Sequence, residues 1–213
     1  MTRYFISDPH FRHKNITEFE RHNFNSVQEH DAFLLKCFEK WARKLKPEDE
    51  FWVLGDWGET EFLFVINMFQ CKTCFVMGNH DAQADIDKFR LHFDEVYEYP
   101  VYLSNKLVVS HLPVAVFEDQ INIHGHLHGA VLDSDNYICC SLHVANYTPI
   151  NDNNINGRFG QIPKYNRRFL WEPFAHLMKF TQEKADVVKD KNGRIDLSAS
   201  RVLQKLTYGK ENY

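Results

Sequence analysis

The spacing of apolar and polar positions changes repeatedly along this chain, and each change marks an element. Residues 3–7 form a short β-prone run, and the polar stretch 11–25 reads as a loop. Ser26-Val27-Gln28-Glu29 then matches a capping box, with Ser26 as N-cap and Glu29 at the third helical position. Behind it Val27, His30, Phe33, Leu34, Phe38, Trp41, Ala42 and Leu45 recur at helical spacing until Pro47 forbids continuation, which predicts an amphipathic helix. Apolar runs at 51–54 and 73–77 read as buried strands, with 62–69 between them as a buried helix. That order implies a right-handed parallel crossover. Residues 85–93 read as a helix, and 95–103 and 106–110 as strands joined by a Ser104-Asn105 turn, so the sheet is expected to be mixed. Residues 121–124 and 137–144 complete the strands. From Asn151 the chain becomes dense in Asn, Asp and Gly, then alternates aromatic with basic residues, then trails into a polar tail. With no internal repeat, the expectation is one domain: a core over 1–155 and a C-terminal extension over 156–213.

Five of the apolar runs end in residues that bind metals: Asp8-Pro9-His10, Gly55-Asp56, Gly78-Asn79-His80-Asp81, Ser110-His111 and Gly125-His126-Leu127-His128. Open α/β sheets place their sites at such strand ends. Carboxylate, amide oxygen and imidazole together make a mixed N/O pocket suited to transition metals. Two divalent cations close together need a shared anion, and Asp56, alone after a strand and a glycine, is the best candidate. Asp8, His10 and one histidine of the 125–128 turn could complete one site; Asn79, His111 and the other histidine could complete a second. On an extended segment His126 and His128 point the same way, so each could reach a different ion. Gly78 and Gly125 would supply backbone freedom for sharp turns.

Composition narrows the class. The chain has 213 residues, 44% of them apolar and 15% aromatic, a globular balance. A net charge of −4 argues against broad nucleic-acid binding through a basic surface. Five cysteines, an odd number, and no secretory segment suit a reducing cytoplasm. No apolar stretch approaches the roughly 18 residues of a membrane span, so a soluble protein is expected.

The order DxH, GD, GNHD, lone His and GHxH resembles the calcineurin-like metallophosphoesterase family. The likeness extends to Ser110-His111-Leu112-Pro113 and Asn146-Tyr147-Thr148-Pro149, covering about residues 3–155. Within the family the chain is most similar to small bacterial and phage-type phosphoesterases whose first motif reads DxHFxHxN, matched by Asp8, His10, Phe11, His13 and Asn15. The resemblance implies an α/β fold: a two-sheet mixed β sandwich flanked by helices in four αββα layers. It implies one divalent ion on Asp8, His10, Asp56 and His128, and another on Asp56, Asn79, His111 and His126, with manganese first and iron, zinc or nickel as alternatives. His80 would be the non-ligand histidine beside the substrate, its ring oriented by Asp81. The implied reaction is in-line attack by a metal-bridging hydroxide, without a covalent enzyme intermediate.

Departures from the family narrow this further. Protein phosphatases extend the second motif to GDxVDRG, whereas here it reads Gly55-Asp56-Trp57-Gly58-Glu59-Thr60; lipid A precursor hydrolases usually show GNRD, not Gly78-Asn79-His80-Asp81. Both classes are disfavoured. His143 stands where many small relatives carry an acid. Phosphodiester hydrolysis is the expectation and phosphomonoester hydrolysis the runner-up. A nuclease or nucleotide-processing enzyme is supported only by Arg158, Lys164, Arg167 and Arg168 among Phe159, Tyr165 and Phe169, a pattern for which a cationic surface over packed aromatics is the favoured reading. A non-catalytic scaffold would tend to lose His80, which this chain keeps. His13 and Asn15, like His143, Arg158 and Arg167, are candidate substrate contacts. Cys71-Lys72-Thr73-Cys74 lacks a second CxxC and reads as buried thiols.

Overall fold

Strands buried on both faces favour parallel pairing, and three of the apolar runs take that form. In the computed structural model, which describes residues 1–21, 23–81, 84, 86–129, 132, 134–153 and 155, β1 (Arg3–Ile6), β2 (Glu50–Leu54) and β3 (Lys72–Val76) pair in parallel. Between β1 and β2 lie α1 (Asn15–Phe19) and α2 (Val27–Lys44). Ser26 caps α2 by accepting the Glu29 N–H at 3.1 Å. The Glu29 carboxylate takes the N–H of Asn25, one residue earlier than a capping box expects. After β3 come α3 (Ile86–Arg90) and β4 (Glu95–Tyr97), which extends the sheet in parallel. A second sheet holds β5 (Val101–Ser104), β6 (Leu107–Val109), β7 (Ile121–His124) and β8 (Tyr137–Cys139), and β9 (Ile150–Asn151) returns antiparallel to β1. The mixed two-sheet α/β sandwich is therefore as the sequence predicts.

Four expectations differ in detail. Within the stretch 11–25, which reads as a loop, Asn15–Phe19 form the short helix α1. The run 95–103 is two strands in different sheets, because Pro100, lacking an N–H and fixed in φ, sits where the chain crosses between them. The crossover at 62–69 is a 3-10 helix, Thr60–Met68, whose exposed positions Glu61, Phe64 and Asn67 recur every three residues. It is thus buried on part of its surface only. The run 137–144 stays a strand only to Cys139; Ser141 then bridges to Ser7, tying the sheets together at one end. The C-terminal extension, with Arg158, Lys164, Arg167 and Arg168, lies outside the described residues.

Two apolar layers hold these parts. Phe5, Trp52, Leu54, Cys74, Val76, Val109, Ile121 and Ile123 fill the space between the sheets. On the other face of the first sheet, Phe38 of α2 meets the rings of Phe11, Trp41, Phe51, Trp57 and Phe69. Among the described residues the outer face of the second sheet is covered by loop side chains, Val114, Val116 and Leu132. All five cysteines are free, and Cys71 and Cys74 are buried. No described helix is long and apolar enough to cross a membrane. Phe38→Ala is expected to lower unfolding stability in urea by about 3–5 kcal/mol, against less than about 1 kcal/mol for Phe64→Ala on the exposed side of the 3-10 helix.

Candidate metal centre

The donor residues follow β1, β2, β3, β6 and β7 directly, and main-chain hydrogen bonds lock the loops together. Asp8 N–H donates to Gly55 O at 3.0 Å, His10 N–H to Asp56 O at 3.0 Å, and Gly125 N–H to His111 O at 2.9 Å. Asp8, His10, Asp56, His126 and His128 all adopt left-handed backbone angles, with φ between 47° and 67°. Such angles cost non-glycine residues about 1–3 kcal/mol each and persist where surrounding structure imposes them. Gly78 and Gly125 do not carry this geometry, contrary to the sequence reading; their role is closeness. A Cβ on Gly125 would lie 1.7 Å from Ser7 Oγ, and one on Gly78 would lie 2.3 Å from Asp56 Oδ1.

The loops gather donor atoms into two groups that share Asp56. Those of Asp8, His10, Asp56 and His128 lie within 4.8 Å of one another, as do those of Asp56, His111 and His126. Asn79 joins the second group, its Oδ1 2.9 Å from both His111 Nε2 and His126 Nδ1. Asp56 Oδ2 lies 3.5 Å from His10 Nε2 and 3.3 Å from His111 Nε2, without hydrogen-bond geometry to either. It is buried without a hydrogen-bond partner among the described residues, as are His10 Nε2 and His128 Nδ1. Buried polar atoms are rarely left so, which fits a set built around a cation. His111 adds a further sign: its Nδ1 donates to Leu54 O at 2.8 Å, so Nε2 is the nitrogen that would face a cation once its own proton is lost.

Around this core the other predicted residues take distinct places. His80 is 49% exposed, with Nε2 4.0 Å from Asp56 Oδ2 and its N–H on Asp56 Oδ1 at 3.0 Å. Asp81 is directed at backbone: its carboxylate accepts from the N–H groups of Asp56, Trp57 and Gly78 at 2.7, 2.9 and 2.8 Å. It therefore ties the Asp56 and Asn79 loops together, where the sequence suggested that it orients the His80 ring. The His13 ring stacks 5.0 Å from His10 and sits 5.5 Å from His80. Asn15 opens α1, and His143 is exposed beside Gly129. Arg158 and Arg167 lie outside the described residues.

Sequence reasoning missed Arg21. Fully buried, it donates to the carbonyls of Asp8 and Pro9 and to His30 Nε2 while lying 5.8 Å over the Tyr147 ring, and so clamps the first ligand loop from behind. His30 in turn pairs with Asp31, which accepts the Arg12 N–H. Only its position in a polar loop was visible in the sequence, and nothing there distinguished it.

The profile of the calcineurin-like phosphoesterases matches residues 1–201. The chain belongs to that family. An uncharacterised protein of Methanocaldococcus jannaschii is 31% identical over 165 residues, 69% of this chain and 85% of that protein. A crystal structure of a protein of unknown function from Aquifex aeolicus is similar at a TM-score of 0.57 and 26% identity, over 73% of this chain and 98% of that one. Family and donor set together make this a metal-dependent phosphoesterase with a divalent-metal site.

The charges of this phosphoesterase centre follow from its burial. Burial alone would raise the Asp56 carboxyl, but His111, then His10 and His80, outweigh it and hold Asp56 ionised far below the usual carboxylate range. Burial would lower His111, yet Asp56 and Asp8 raise it to about 10. His126 is lowered to about 3 by burial and by His111, and burial also pushes His10 well down. Burial and the charge of Asp56 lift Asp81 to about 6, against the pull of its backbone donors. In the cation-free protein His111 thus carries the proton that balances Asp56, and a cation entering there must displace it. Since His111 is protonated below about 10, metal affinity is expected to rise with pH throughout that range. Calorimetry of Mn²⁺ binding at pH 7.5 in buffers of different ionisation enthalpy should show release of about one proton. An affinity flat between pH 6 and 9, with no proton released, would contradict this.

Proposed function

We propose that the protein hydrolyses a phosphodiester using two divalent ions. Asp8, His10, Asp56 and His128 would hold one ion, and Asp56, Asn79, His111 and His126 the other, with manganese expected first and iron, zinc or nickel as alternatives. A bound pair supplies a lowered pKa for water and neutralises charge on the phosphoryl oxygens. The observation that carries this reading is Asp56 Oδ2, 1% exposed in its side chain and without a hydrogen bond between the imidazoles of His10 and His111.

The chain's own residues would do the rest. His80 stands at the open edge of the donor set with its backbone fixed on Asp56, a position from which its ring can give a proton to the leaving oxygen. His13, whose buried Nδ1 has no partner among the described residues, is suited to meet a phosphoryl oxygen beside it. Among the described residues the rings packed against His10 are the imidazoles of His13, His80 and His128, a setting that suits the single charge of a diester. Five free thiols fit action in the reducing cytoplasm.

Protein loaded with Mn²⁺, Ni²⁺, Zn²⁺ or Mg²⁺ should turn over bis(p-nitrophenyl) phosphate faster than p-nitrophenyl phosphate. The opposite order would make it a phosphomonoesterase, and no turnover of either with any metal would remove the enzymatic reading. His80→Ala is expected to keep its metal and lose about a hundredfold or more in kcat. Asp56→Ala is expected to lose the metal itself.

A further inference from the structure

Around the donor set the chemistry varies. His13 and His80 present imidazoles 5.5 Å apart. At Asn79 the surface opens into a cavity of 390 Å³, within the roughly 300–1,000 Å³ of small-molecule sites. Met77, Ala84, Ile86 and Leu112 line it with carbon, Asn79 joins it to the donor atoms, and Glu98 is the charged side chain among its described lining residues. The cavity adjoins the second donor group through two of its lining residues. Asn79 Oδ1 touches both histidines of the second donor group, and Leu112 directly follows His111.

We propose that this cavity receives one alcohol arm of the phosphate ester, and that the arm is an apolar or aromatic group bearing a hydrogen-bond donor or cation toward Glu98. The proposal rests on the phosphoesterase reading and deepens it. An ester whose phosphoryl group lies on the donors places its next atoms within a residue's length of Asn79, so one arm meets Met77, Ile86 and Leu112 and releases water from them. Glu98 acts as a selector. Being exposed and anionic, it accepts a hydrogen bond or pairs with an amine, and it repels a second phosphate. The neighbouring phosphate of a polynucleotide is therefore a poor occupant, and a diester with one phosphate and a neutral or cationic arm is a good one.

Three phosphonates test this without any need for turnover. Full-length protein loaded with Mn²⁺ is titrated calorimetrically with methylphosphonate, benzylphosphonate and 4-(aminomethyl)benzylphosphonate. The aminomethyl compound is expected to bind about tenfold or more tightly than methylphosphonate, with benzylphosphonate between them. Ile86→Trp, which fills the cavity, should erase the difference while leaving methylphosphonate unaffected. Glu98→Lys, on an exposed side chain, should reverse the order of the two aryl compounds. Three affinities within about twofold of one another in the native protein, or a preference that survives both substitutions, would overturn the proposal. Binding of this kind in a protein that hydrolyses no ester would instead sink only the catalytic reading.

Discussion

The carboxylate of Asp56 is the point from which the rest of the structure can be understood. It is buried and held ionised; one oxygen accepts the His80 N–H, and the other faces His10 and His111 without a hydrogen bond. A buried charge in that state demands a positive partner. In the cation-free chain the partner is the proton on His111; in the loaded protein it would be metal. The surrounding loops make sense as devices that keep this carboxylate in place. Asp81 accepts its backbone N–H, its own carbonyl accepts the His10 N–H, and Gly78 leaves room for its Oδ1.

The same logic accounts for the strain. Five donor residues hold left-handed backbone angles that most side chains resist, and they do so at the ends of parallel strands whose interiors are packed on both faces. The sandwich core stabilises the fold enough to offset these local costs. Arg21 contributes from the opposite side, where its guanidinium holds the Asp8 and Pro9 carbonyls. A cation placed there leans on the metal loop without occupying it.

Much of this was legible in the order of residues, and the reasons are physical. Parallel strands bury both faces, so they read as continuous apolar runs, and a run that ends in Asp, Asn or His announces a site at its end. The grouping of Asp8, His10, Asp56 and His128, with His111 and His126 on the far side of Asp56, follows from that order plus the family likeness. What the order did not reveal depends on contacts distant in sequence. Pro100 divides a run between two sheets, and its neighbours alone do not say where the second strand goes. Asp81 looks like a partner for the adjacent His80, but three backbone N–H groups from two loops take its carboxylate. Arg21 lies in a loop without periodicity, and only the folded chain brings it beneath Asp8.

The central claim is that Asp56 is shared between two cations. Electron paramagnetic resonance of the protein titrated with Mn²⁺ tests it most directly. The account predicts that a second equivalent replaces the six-line signal of an isolated ion with the broadened spectrum of an exchange-coupled pair, and that Asp56→Asn prevents this coupling. A spectrum that remains that of isolated ions at saturation, or a coupled pair that survives Asp56→Asn, would contradict it.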